Sequence, residues 1–214
     1  MSITTRKQLH LVLKSDFARN SEIAGKNMLV ECLKGNYRAY IKYRFLKALR
    51  KMEYYENNNH GWRSIVYLFY KQYFQRLQLK TQLFLFPNVF DEGLNIEHPG
   101  FAWIDTSSKI GKNCTVLPRV LLGKKVPGVS IPNIEIGNNC YIGTDATILG
   151  PVKIGNNVII AAGSVVIHDV PDNSLIAGNP AKVKKALSKE EFERYFENTS
   201  ELGVPYGKRF FGNN

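Results

Sequence analysis

Ten aliphatic residues recur at intervals of six. Ile104, Ile110, Val116 and Leu122 form one run, and Ile136, Ile142, Ile148, Ile154, Ile160 and Val166 form another. A period of six is neither the 3.6 of a helix nor the 2 of a half-buried strand. As a multiple of two, it preserves strand alternation within each unit. One short strand and one tight turn per unit satisfy both facts. A second column stands four residues after each aliphatic: Ser108, Cys114, Val120, Cys140, Ala146, Val152, Val158, Ser164 and Val170. These side chains are small or medium, as a crowded corner requires. Gly follows the aliphatic at 111, 123, 137, 143 and 155, and Asn113, Asn138, Asn139, Asn156 and Asn157 suit turns with positive φ. Such units bury their aliphatic face only by stacking, so the expected core is a parallel β-helix, a quasi-one-dimensional solenoid.

The spacing breaks once. Leu122 and Ile136 lie 14 apart, two more than two repeats. The segment KKVPGVSIPN (124–133) is therefore expected to protrude, and insertions in solenoids commonly carry function.

Charge divides the 214-residue chain. Of 29 basic and 18 acidic residues, residues 1–90 hold 16 and 5, while residues 91–214 hold 13 of each. The whole net charge of +11 lies in the first part, which argues against a uniformly basic nucleic-acid binder. Three scattered cysteines, Cys32, Cys114 and Cys140, make neither a disulfide framework nor a zinc site. Cys114 and Cys140 belong to the small inward column. The start, MSITTRKQLH, lacks the apolar run of a signal peptide, and the longest apolar stretch is Ile65–Tyr70. A cytoplasmic setting is expected.

Residues 22–80 read as helical, as in NYRAYIKYRFLKALRKMEYY (36–55) and WRSIVYLFYKQYFQRLQLK (62–80), separated by ENNNHG. Tyr40, Tyr43, Phe69, Tyr73 and Phe74 are expected to pack among themselves, on the solenoid or across subunits. The charges between them suit an acidic glycan or a membrane surface. Ser188-Lys-Glu-Glu191 is a capping-box pattern ahead of a short helix. The expected organisation is a basic α-helical region (1–84), a β-helix (85–186), and a C-terminal helix and tail (187–214), mainly β by class.

The repeats, with AAGSVV (161–166) and AGNPAKV (177–183), resemble the hexapeptide-repeat acyltransferases over roughly residues 85–185. The segments FPNVFDEGLNIEHPG (86–100) and IGKNCTVLPRVLLG (110–123) resemble the serine acetyltransferase branch, and within it the capsule and exopolysaccharide O-acetyltransferases. That resemblance implies a left-handed β-helix, a homotrimer with active sites between neighbours, and acetyl-CoA as co-substrate without a metal. It implies His98 as the catalytic base. It also implies contacts to acetyl-CoA from Thr144, Ala162, Gly163, His168 and Lys182. A solvated turn is an equal alternative for His168, and turn or core filling for Thr144 and Ala162.

The chemistry agrees with those residue types. Acetyl transfer from a thioester to a hydroxyl needs a base, and neutral imidazole suits that task. Backbone N–H groups can stabilise the tetrahedral oxyanion. The other histidines, His10 and His60, lie outside the repeat. Two departures from serine acetyltransferases stand out. Leu83 occupies the place of the Asp that orients the base, leaving Asp91, Glu92, Glu97, Asp105 or a backbone carbonyl as substitutes. The 124–133 loop has no His where those enzymes carry one. Lys124 and Lys125 could instead hold an anionic acceptor or a CoA phosphate, although solvated loop charges explain them as well.

The expected function is therefore acetyl-CoA-dependent O-acetylation of a sugar or glycan hydroxyl, and a lipid-linked acceptor met at the inner membrane face would suit the basic helices. Serine O-acetylation in cysteine biosynthesis is the alternative, and a non-catalytic solenoid scaffold is a third reading from another class. A zinc hydratase on the same solenoid would need three His, and the region holds only His98 and His168.

Overall fold

The computed structural model describes residues 2–125 and 134–197. Helices come first: α1 (Arg6–Arg19), α2 (Met28–Leu33), α3 (Tyr37–Asn57) and α4 (Arg63–Thr81). The repeat begins with β1 (Leu83–Phe84), β2 (Asn95–Ile96), β3 (Ala102–Ile104), β4 (Lys109–Ile110), β5 (Thr115–Val116), β6 (Leu121–Lys124) and β7 (Ile134–Ile136). It continues through β8 (Tyr141–Ile142), β9 (Thr147–Gly150), β10 (Val152–Ile154), β11 (Ile159–Ile160), β12 (Val165–Val166), β13 (Ser174–Gly178) and β14 (Ala181–Ala186), and α5 (Lys189–Glu197) follows.

Successive strands visit three sheets in rotation. Side A is β1-β3-β6-β9-β12, side B is β4-β7-β10, and side C is β2-β5-β8-β11-β13-β14. The pairings are parallel apart from β13 with β14, which folds back to end side C. The chain is thus a three-sided coil, one strand and one corner per six residues. Both sequence columns point inward: all ten aliphatics and all nine small residues are buried.

The corners show why Gly and Asn recur. A Cβ on Gly137 would lie 2.7 Å from the Gly155 carbonyl carbon in the next coil, so only Gly fits. Asn113, Asn139 and Asn157 take positive φ as expected. Asn138 and Asn156 do something else. The Asn138 side chain accepts from Lys112 N at 2.8 Å, and Asn156 accepts from Asn138 N at 2.8 Å, so these side chains tie one coil to the next. Leu122 lies on side A and Ile136 on the neighbouring side B. The spacing of 14 is therefore one step of six with eight added residues, not two steps and a remainder. Residues 126–133 of the segment expected to protrude lie outside the described residues.

An open first coil would leave strand edges unpaired, a hazard for any solenoid. Side chains of the helices occupy this edge. Arg50, 1% exposed, pairs with Asp16 at 2.7 Å and with Glu53 at 3.0 Å, and donates to the carbonyls of Phe90 and Asp91, both at 2.8 Å. Asp16 accepts from the amides of Gly93 and Leu94. Asn20 donates to the Leu94 carbonyl and accepts from Ile96 N. Part of the basic excess is therefore interior, and it anchors the helices rather than meeting a ligand.

The aromatics divide similarly. Phe74 is buried and Tyr40, Tyr43 and Tyr73 are partly so, packed on the main core, whereas Phe69 is 67% exposed. The helical region also starts earlier than expected. Thr5 and Gln8 form a capping box for α1, a T-x-x-Q signal that the sequence contains. At the other end Ser188 N donates to Glu191 at 3.0 Å and Glu191 N to Ser188 Oγ at 3.2 Å, the capping box expected there.

Candidate functional site

His98 sits on the corner between sides C and A. Strand register aligns Ile96, Val116, Ile142 and Ile160 across side C. Two residues beyond each stand His98, Pro118, Thr144 and Ala162. They form one column along one corner. The next position in the later coils is Arg119, Asp145 and Gly163, with φ of 62°, 62° and 68°. Consecutive coils are joined there by Asp145 N donating to the Pro118 carbonyl at 3.2 Å and Gly163 N to the Thr144 carbonyl at 2.8 Å. His98, Ala162 and Gly163 are exposed and Thr144 is half-buried.

The His98 corner differs from those after it. Ile96 to Ile104 exceeds the regular six-residue step by two, while Val116 to Leu122, Ile142 to Ile148 and Ile160 to Val166 keep it. The added length falls in the EHPGF segment that holds the imidazole.

Three of the carboxylates considered for orienting His98 bond other groups. Glu97 accepts from Asn95 Nδ2 at 3.0 Å, Glu92 pairs with Lys112 at 2.9 Å, and Asp105 accepts from Ser107 N at 2.9 Å. Leu83 is buried in β1. Instead, the backbone ahead of His98 is held from below by Lys42, which is 2% exposed. Its Nζ donates to the carbonyls of Ile96 at 3.0 Å and Glu97 at 3.3 Å and pairs with Glu22 at 3.0 Å. Burial pulls the Lys42 ammonium below the usual lysine range, against the raising effect of Glu22. Sequence pattern had no means of flagging Lys42, since a lysine on an amphipathic helix reads as solvated.

Lys124, Lys125 and His168 stand on the opposite edge of side A, at the corner with side B, while Lys182 lies on side C. Lys124 ends β6, and Lys125 N donates to the Gly150 carbonyl at 3.1 Å while its Nζ bonds the Ile167 carbonyl. His168, exposed, follows β12 on the same corner. Lys182 lies on β14, opposite Ala177, and is exposed. The candidate residues therefore form a C–A group (His98, Thr144, Ala162, Gly163) and an A–B group (Lys124, Lys125, His168), with side A between them. Side A carries exposed aromatic surface: Phe101 and Trp103 are each 41% exposed, and Trp103 lies 5.2 Å from Phe84 between ring centroids.

Among the described residues, no cluster of three or more His, Cys, Asp or Glu could hold a metal ion, and no helix is long and apolar enough to cross a membrane.

Comparison with known proteins gives a consistent set. The bacterial transferase hexapeptide (six repeats) family matches residues 133–168. Serine acetyltransferase 2 of Arabidopsis thaliana is 34% identical over 100 residues, which is 47% of this chain and 31% of the relative. The serine acetyltransferase of Bacillus licheniformis is 40% identical over 117 residues, 54% of this chain and 52% of the relative. Among solved structures, the soybean serine acetyltransferase apoenzyme superposes with a TM-score of 0.65 at 26% identity, covering 83% of this chain and 69% of that one. The chain thus spans about a third of the length of the first of these curated relatives and about half of the second.

Proposed function

We infer that this chain, whose repeat is that of the hexapeptide-repeat transferases and whose relatives are serine acetyltransferases, moves an acetyl group from acetyl-CoA to a hydroxyl. The observation that carries this reading is the column of His98, Thr144 and Ala162 on one corner. His98 accepts the proton of the acceptor hydroxyl as its oxygen attacks the thioester carbonyl. The tetrahedral oxyanion then collapses, the C–S bond breaks, and the CoA thiolate leaves with the proton that His98 returns. Imidazole suits both halves of that exchange, and backbone N–H groups can stabilise the oxyanion. Thr144, Ala162 and Gly163 offer little side-chain bulk along the corner, which suits the approach of an extended pantetheine arm. Lys124, Lys125, His168 and Lys182 supply cations for the CoA phosphates.

The His98 column and Lys124, Lys125 and His168 lie on opposite edges of side A, so we take the working form to be a trimer. There the C–A corner of one copy faces the A–B corner of the next. The exposed aromatic surface of side A suits such burial. The left hand of the coil, division at residues 85 and 186, and a cytoplasmic setting complete this reading.

For the acceptor, the relatives support serine ahead of a sugar, the reverse of the order expected from sequence. The sugar hydroxyl is kept as a second reading because Leu83 and a 124–133 loop without His leave serine's usual partners missing. The experiment is thiol release from acetyl-CoA with serine and with a panel of sugars. Turnover is expected, and His98→Ala should lower it by more than ~100-fold. Full activity in His98→Ala would overturn the mechanism.

A further inference from the structure

A cleft of about 640 Å³ opens between the first turns of α3, the end of α4 and the Pro99-Gly100 pair that follows His98. That volume falls within the usual range of small-molecule sites and far exceeds what a free amino acid fills. Its charged lining residues are Arg38, Arg44 and Lys80, and none is acidic. Arg38 is partly neutralised by Glu22 at 2.6 Å. The other two have no carboxylate partner among the described residues.

Arg44 is also preorganised. Its guanidinium carbon lies 5.6 Å from the Tyr40 ring centroid and 5.3 Å from that of Tyr73, and its Nε donates to Tyr73 Oη at 2.8 Å. This fixes the fork while leaving its outer donors without an acidic partner. A fixed guanidinium matches a carboxylate or phosphate better than a mobile cation does. Tyr37 and Tyr40 add aromatic lining against which a ring can lie. By contrast, the cleft on the B–C corner sets Lys153 against Glu135 at 3.8 Å and also carries Asp169, so its charged lining is net acidic.

We propose that this cleft binds an acidic sugar, a hydroxylated ring bearing a carboxylate or a phosphate, with Arg44 and Lys80 on the anion and Tyr37 and Tyr40 against the ring. This deepens the second, sugar-acceptor reading of the transferase and rests on it for one point: the sugar is the acceptor, placed beside His98.

The test is calorimetric titration of the full chain with glucuronate, glucose 1-phosphate, glucose and serine. The first two separate the carboxylate from the phosphate. At least one acidic sugar should bind about tenfold or more tightly than glucose, as expected for charge-assisted pairing. Lys80→Gln, on an exposed side chain, and Arg44→Gln should each weaken that binding roughly fivefold or more, while Lys153→Gln leaves it unchanged. Equal binding of glucose and both acidic sugars would overturn the proposal, as would undiminished binding in Lys80→Gln. Serine acetylation without acidic-sugar binding would remove this proposal alone. Acidic-sugar binding without any acetyl transfer would preserve the site and remove the transferase reading.

Discussion

The Lys42 ammonium bonds the backbone carbonyl of Glu97 at 3.3 Å, one residue before His98. A cation buried in the helical region thereby fixes the corner on which the proposed base stands. Replacing it removes the donor to two carbonyls and leaves the part-buried Glu22 with only Arg38. Unpaired buried acceptors cost roughly 1–3 kcal/mol each. Lys42→Met should therefore lose about 2–4 kcal/mol in a urea melt. In acetyl transfer it should lower kcat while the KM for acetyl-CoA stays near wild type, because the proposed cofactor residues lie in later coils.

The same ion pair sets an acid limit. Burial raises the Glu22 carboxyl, but Lys42 and Arg38 more than offset that and leave it below its ordinary value of 4.5. The folded carboxyl then binds its proton less readily than the unfolded one. The stability it contributes is full above that ordinary value and is lost as pH falls through the lower folded value. Glu22→Gln should be less stable than wild type at pH 7, and the gap should shrink as thermal melts are repeated toward pH 3.

Gly143 offers a steric test at the proposed cofactor corner. A Cβ there would lie 2.7 Å from both Ala162 N and the Ile160 carbonyl oxygen. Since both are backbone atoms, a coil must shift to relieve the clash. Gly143→Ala should cost roughly 1–3 kcal/mol in denaturant. Its KM for acetyl-CoA should rise more than its KM for the acceptor.

Trp103 tests the association expected of side A. An acidic side chain there opposes burial against a second copy, since charged groups are depleted from interface cores. Trp103→Glu should move the protein toward monomer in analytical ultracentrifugation and should reduce acetyl transfer in parallel. A fully active monomeric variant would refute the shared site.

The solenoid was legible because each step is written in single residues: Ile142 and Ala146 mark inside and corner wherever the chain is sampled. The placement of the site was less so. His98, Thr144 and Ala162 could be named from motifs, but their stacking on one corner needs strand register. The same register puts Lys124 and His168 on the other edge of side A. Asn138 and Asn139 are adjacent and identical in type, yet one bridges coils and the other supplies positive φ. Composition cannot separate them. Lys42 and Arg50 were hidden for a related reason: a cation on a helix gives no sign of the carbonyls that tertiary packing brings to it.

The six-residue step lengthens by two residues at His98 and by eight after Leu122, and it shortens to four from Val166 to Val170, the partner of Ile154 on side B; each change falls between strands. This has a consequence for how such a chain can change. A residue inserted within a strand would invert inside and outside for every position to the next corner. A residue inserted at a corner leaves the phase of all later strands intact. The corners are therefore the places where length can vary freely. The two that have gained length flank the same side, one carrying the proposed base and the other the lysines.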